Sequence, residues 1–268
     1  MLFKFQGQNI KLINSKMKTV LFTLVAFFIV NLSFNGQAQT AKPAPTPDQI
    51  IASLKAENDR LKTDWANLGR FRDDNKKVGL PAKGEKRVVF MGNSITEGWI
   101  RSRPDFFAGK PYVNRGISGQ TTPQMVIRFR PDVVNLKPSV VVILAGINDI
   151  AGNTGPSTLE MIEDNLMAMA EMAKANKIKV VMSSVLPAYD FPWRPGMQPA
   201  EKVVQLNAWI KEYAKTHGCI YLDYFTAMVD ERKGLPTKYS GDGIHPNKEG
   251  YLVMEPLVEK AIQQALTK

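Results

Sequence analysis

From Lys86 onward, short uninterrupted apolar runs alternate with longer stretches of helical periodicity, and that alternation leaves few folds open. The runs are RVVFMG (87–92), YVNRG (112–116), SVVVILAG (139–146), IKVVMSSV (178–185) and CIYLDY (219–224). Helical patterns occupy roughly 121–135, 157–176, 200–217 and 247–266. A strand that is apolar along its whole length needs cover on both faces, so five such runs separated by helices predict an α/β protein with a parallel sheet. Ligands of open parallel sheets bind beyond the carboxyl ends of the strands. Function is therefore to be sought at those ends.

The residues before 86 read differently. Lys16 and Lys18 precede an apolar run from Val20 to Phe34 and then the small-residue stretch Asn35-Gly36-Gln37-Ala38, the order of a secretory signal with cleavage expected after Ala38. The competing reading is an uncleaved anchor, for which the run is short. Either Met1 or Met17 fits as the start. With no cysteine after the run, a lipid anchor is not expected. Residues 39–47 (QTAKPAPTP) form a Pro-rich linker, and Ile50, Leu54, Leu61, Trp65 and Leu68 recur at helical spacing, predicting an amphipathic helix over 48–70 packed on a single domain that spans 48–268.

Charge and cysteine content close off other classes. The formal charge of +10 includes four lysines in 1–38, no Lys/Arg block of five or more occurs, and a solvated basic surface accounts for the balance without a nucleic-acid partner. Cys219 is the only cysteine, which excludes an internal disulfide and a C-x-x-C metal or redox site.

The strand ends carry polar turns. The first run ends in Gly92-Asn93-Ser94, the second in Arg115-Gly116-Ile117-Ser118-Gly119-Gln120, the third in Gly146-Ile147-Asn148-Asp149. Ser94 admits two readings. With Glu97 three residues on, it matches a capping box that only starts a helix; as a nucleophile it requires a base. The chain has two histidines. His217 precedes Gly218 at a helix end, where its dipole-compatible cation needs no other role. His245 lies in a Gly-Asp-Gly loop ahead of Pro246, with Asp242 three residues before it, a spacing that lets a carboxylate orient Nδ1–H while Nε2 acts as base. Ser94 is the natural acceptor of that base's help. An oxyanion needs donors, and the N–H groups of Ser94 and Gly119 with the Asn148 side-chain amide are three candidates.

Taken together, Gly92-Asn93-Ser94-Ile95-Thr96, Gly119 within GISGQTT, Gly146-Ile147-Asn148-Asp149 and Asp242-Gly243-Ile244-His245-Pro246 resemble the four blocks of the SGNH hydrolases, or GDSL lipase/esterase family, over about residues 86–266. The nearest branch holds the platelet-activating-factor acetylhydrolase-like and bacterial carbohydrate acetylesterase members. Asn93 stands where the eponymous motif has aspartate, and Ile147 where a smaller or polar residue is usual; neither removes a group that does chemistry. The resemblance implies a three-layer α/β/α fold with strand order 2-1-3-4-5, no metal or other cofactor, and a serine esterase in which Asp242 orients His245 and His245 activates Ser94. An ordinary α/β-hydrolase would need Gly-x-Ser-x-Gly, and the residue two past Ser94 is Thr96.

The segment AYDFPWRPGMQPA (188–200) follows the fourth strand, so Phe191, Trp193 and Arg194 are candidates for a substrate wall, against a reading of local packing among prolines 192, 195 and 199. The absence of a long apolar lid in the sequence favours a short acyl group such as acetyl, on a small-molecule or glycan ester. The expected protein is thus an exported serine esterase, periplasmic or extracellular and not inserted in a membrane after cleavage. An acyltransferase to sugar hydroxyls and a silent glycan-binding module are the alternatives, and oligomeric state is not legible.

Overall fold

The computed structural model describes residues 45–268; the signal reading and most of the Pro-rich linker lie outside the described residues. The chain divides into two compact units at Asn58 and Asp59. Helix α1 (Pro47–Thr63) begins in the first, and none of its residues is buried. It is shorter than the helix expected over 48–70. Asp64 ends it by turning its carboxylate onto the N–H groups of Leu68 (2.7 Å) and Gly69 (2.8 Å), so Trp65 and Leu68 fall in a turn. A short helix α2 (Arg72–Val78) follows.

Five parallel strands, β1 (Val88–Gly92), β2 (Tyr112–Gly116), β3 (Val140–Leu144), β4 (Lys179–Ser183) and β5 (Ile220–Leu222), pair in the order β2-β1-β3-β4-β5, as the family resemblance implied. Every residue of β1 and β3 is buried. Their alternate side chains feed two separate cores, as the pleat requires. Val89, Met91, Val141 and Ile143 face one core with α5 (Thr122–Asp132), α7 (Leu159–Ala175) and α8 (Ala200–Thr216). Val88, Phe90, Val140 and Val142 face the other with α3 (Ser94–Ser102), the single turn α4 (Pro104–Phe107) and α10 (Lys248–Thr267). Shorter helical turns are α6 (Ile147–Ile150), α9 (Phe225–Met228) and a 3₁₀ turn at Val134–Leu136.

The second core is aromatic. Trp99 stacks on Phe106 (5.0 Å) and Tyr251 (5.3 Å) and meets Phe90 edge-on at 5.9 Å. Tyr251 also donates its hydroxyl to the Ile95 carbonyl at 2.8 Å, pinning α10 to the first turn of α3.

That first turn sits hard against the sheet. A Cβ on Gly92 would lie 2.1 Å from Thr96 Oγ1, and one on Gly116 would lie 2.2 Å from the Glu97 nitrogen. Glycine at the ends of β1 and β2 is what allows α3 to start directly on the strand edge.

Candidate active site

Ser94 is the first residue of α3, and the helix is capped by Asn93, whose Oδ1 accepts the Ile95 N–H at 3.0 Å. The capping-box reading of Ser94 therefore does not describe the turn. Glu97, its supposed partner, faces away and accepts from the Ser118 N–H (2.9 Å), the Ser118 hydroxyl and Arg70. The Ser94 hydroxyl is left for something else.

That partner is His245, 151 residues away in sequence, with Oγ to Nε2 at 2.9 Å. On the other side of the ring, Nδ1 lies 2.7 Å from Asp242 Oδ2. The loop carrying the pair is tied to itself. Asp242 Oδ1 accepts the N–H groups of Ile244 (2.9 Å) and His245 (2.8 Å), and the Ser240 hydroxyl at 3.0 Å. Ser240 Oγ in turn accepts the Gly243 N–H at 2.9 Å. Asn247 then caps α10 through the Gly250 N–H. Burial pushes the Asp242 carboxyl up, but the His245 side chain and the two backbone donors outweigh it and hold the group well below the usual carboxylate range. Ser240 escaped the sequence reading, although a serine two residues before an aspartate in a Gly-rich turn is a recognisable hydroxyl-turn signal.

The three candidate oxyanion donors come to the same edge through their neighbours. The Ile117 N–H reaches the Gly92 carbonyl at 3.1 Å, which sets the 117–120 turn beside the start of α3. Gly119 within that turn has φ +77° and nothing near the position of a Cβ, so glycine is needed there for conformation and not for space. Asn148 donates one amide hydrogen of Nδ2 to the Gln120 carbonyl at 2.9 Å, which fixes the plane of its amide and leaves the second hydrogen for a ligand. As the first helical residue, Ser94 has no intrahelical acceptor for its N–H.

The model of the GDSL-like lipase/acylhydrolase family matches residues 90–253. The chain belongs to that family. It is a carboxylic ester hydrolase of the SGNH type. A GDSL-like lipase structure from Bacteroides thetaiotaomicron is 51% identical, with a TM-score of 0.74, covering 76% of this chain and all of that one. An acetylxylan esterase of Xylanibacter ruminicola is 27% identical over 70% of this chain, and the chain spans only 45% of that protein's length. Esterase TesA of Pseudomonas aeruginosa is 27% identical over 61% of this chain and 77% of its own.

In this GDSL acylhydrolase the three residues named for a substrate wall take different places. Phe191 is buried in the first core, with 1% exposure. Trp193, half-buried, lies against Phe191 and has its ring centroid 6.3 Å from that of His245. Arg194 turns back to the Ala151 and Gly152 carbonyls and ties the rim loop to the turn after α6. Beyond Asp242, a cavity of about 270 Å³ opens between Tyr189, Phe191, Pro192, Arg232 and Leu235.

One acidic group of the acylhydrolase behaves oppositely to Asp242. Asp149 is buried beside Asn148, and burial lifts its carboxyl to about 6 despite accepting the Thr122 N–H (2.9 Å) and hydroxyl (2.6 Å). A carboxyl raised on folding stabilises the native state at low pH, and that contribution is lost as pH rises through the folded value. Replacing Asp149 by Asn removes the dependence. The stability difference between Asp149→Asn and the parent should therefore shift by about 2 kcal/mol in the variant's favour between about pH 4.5 and about pH 7.5. Urea unfolding at the two pH values measures it.

Proposed function

We propose that the chain is an exported serine esterase that removes short acyl groups, chiefly acetyl, from carbohydrate esters through a Ser94-His245-Asp242 triad. The observation that carries the reading is the continuous chain of contacts from Ser94 Oγ to His245 Nε2 and from Nδ1 to Asp242. His245 takes the Ser94 proton as Oγ attacks the acyl carbon. The resulting oxyanion is held by the N–H groups of Ser94 and Gly119 and by Asn148 Nδ2. The tetrahedral centre collapses to an acyl-Ser94, and the alcohol leaves with the proton from His245. Water, deprotonated by the same imidazole, then attacks the acyl-enzyme and releases the acid.

Acetyl and carbohydrate are supported by the likeness to an acetylxylan esterase and by Trp193, an aromatic face next to His245 on which a sugar can rest. Export is supported by the basic, apolar and small-residue order of residues 16–38. Among the described residues no helix is long and apolar enough to cross a membrane.

Diethyl p-nitrophenyl phosphate tests the nucleophile directly. A single adduct mapped to Ser94, with loss of esterase activity in proportion to labelling, is the expected result. Complete hydrolysis with Ser94 unmodified would overturn the reading. Loss of acetyl from acetylated xylo-oligosaccharides, followed by mass spectrometry, tests the substrate class.

A further inference from the structure

Behind the candidate oxyanion donors lies a charge that the proposed chemistry does not use. Arg128, in the middle of α5, has no exposed surface. Burial pulls its guanidinium down to about 10, so it is still a cation at neutral pH. An isolated buried cation is costly, and such groups are kept neutral overall by a partner. Here that partner is Asp132, one turn later, at 3.2 Å and equally buried.

The other two arms of the fork do something different. Nη2 donates to the carbonyl of Gly92 at 3.0 Å, the last residue of β1 and two before Ser94. Nε donates to the side-chain oxygen of Gln120. Gln120 is itself a junction. Its side-chain amide donates to the Ala66 carbonyl at 2.7 Å, and its backbone carbonyl receives the Asn148 amide at 2.9 Å. The same Gly92 carbonyl receives the Ile117 N–H.

The geometry points to Arg128 as a positioning residue for the oxyanion pocket: one rigid guanidinium spaces the nucleophile turn, the Gly119-bearing loop and, through Gln120, the Asn148 amide. This rests on the triad proposed above. Three acceptors at fixed angles suit a planar fork, which a lysine's single ammonium cannot reproduce. The donors it holds act only when charge develops on the acyl oxygen, so their misplacement affects the transition state more than the bound ester. Displacements near 1 Å cost on the order of 100-fold in rate.

Two variants test it. Arg128→Met combined with Asp132→Leu replaces the buried pair by apolar groups, an exchange that elsewhere preserves stability. Arg128→Lys keeps the charge and loses the fork. For p-nitrophenyl acetate, kcat should fall by about 10- to 100-fold in each folded variant while KM moves less than about threefold, with thermal unfolding reporting the fold. A purely structural role would lower the unfolding temperature and leave kcat of the folded fraction unchanged. A folded Arg128→Lys with kcat within about twofold of the parent overturns the inference, whatever the double variant does. Ser94→Ala, run alongside, separates the two levels. If it too retains the rate, the triad reading has failed; if it alone is inactive, only the role of Arg128 has.

Discussion

A Ser94→Ala chain is expected to hydrolyse p-nitrophenyl acetate at least about a thousandfold more slowly than the parent, with an unchanged fold. The magnitude follows from what is lost. In the proposed mechanism no acyl-enzyme forms without the hydroxyl, and water must attack the ester directly. The candidate oxyanion donors survive, because the Ser94 N–H, Gly119 and Asn148 are untouched, so residual catalysis above the uncatalysed rate should persist. Stability should change little: Ser94 is not the cap of α3, Asn93 is. Initial rates with circular dichroism of both proteins decide the matter, and equal rates would remove the nucleophile from the mechanism.

Asp242→Asn should lower kcat by about 10⁴-fold. The carboxylate holds the Nδ1–H tautomer, leaving Nε2 lone-paired toward Ser94; an amide in its place presents either a donor to Nδ1 or a rotated oxygen. The backbone contacts from Ile244 and His245 reach Oδ1, while the imidazole contacts Oδ2. Asparagine retains one oxygen only. If that oxygen stays with the loop, the amide nitrogen faces His245 and the wrong tautomer results. Raising pH should not restore the rate, since tautomer and not ionisation is at fault. A drop of less than about threefold would show that the pair does not work as proposed.

Much of the fold was legible because its signals are local. Five continuous apolar runs required a sheet covered on both faces, and the strands lie within the predicted runs. The strand order came from the family blocks and not from periodicity, since the pleat says nothing about which strand neighbours which. Helix α3 was not among the stretches of helical periodicity and was foreseen only through the capping-box reading of Ser94: its nine residues are short, and Gly98 interrupts the apolar pattern. The reach of α1 was overstated because Trp65 and Leu68 continue its spacing, while the stop comes from Asp64, an acidic residue that reads equally well as part of a helix.

At the site, His245 and Asp242 were readable from their spacing and Ser94 from the turn it occupies, whereas Arg128 was not. An arginine in a helix reads as a solvated residue, and its burial is explained only when Asp132 on its own helix, Gln120 just ahead of that helix and the remote Gly92 carbonyl are seen to close around it. Phe191 and Arg194 were misleading for the converse reason. A rim loop advertises side chains without saying which of them turn inward, and these two close the loop onto the body.

Asp242 and His245 sit on one seven-residue hairpin of chain, Ser240 to Pro246, whose ends bridge to each other and whose exit is clamped by the cap of α10. The proposed acid and base are therefore held together as one prefabricated cartridge by contacts between neighbours in sequence. What long-range packing must set is the distance between that cartridge and the serine. The Tyr251 hydroxyl, bonded to the carbonyl next after Ser94, is the spacer bolt that sets it.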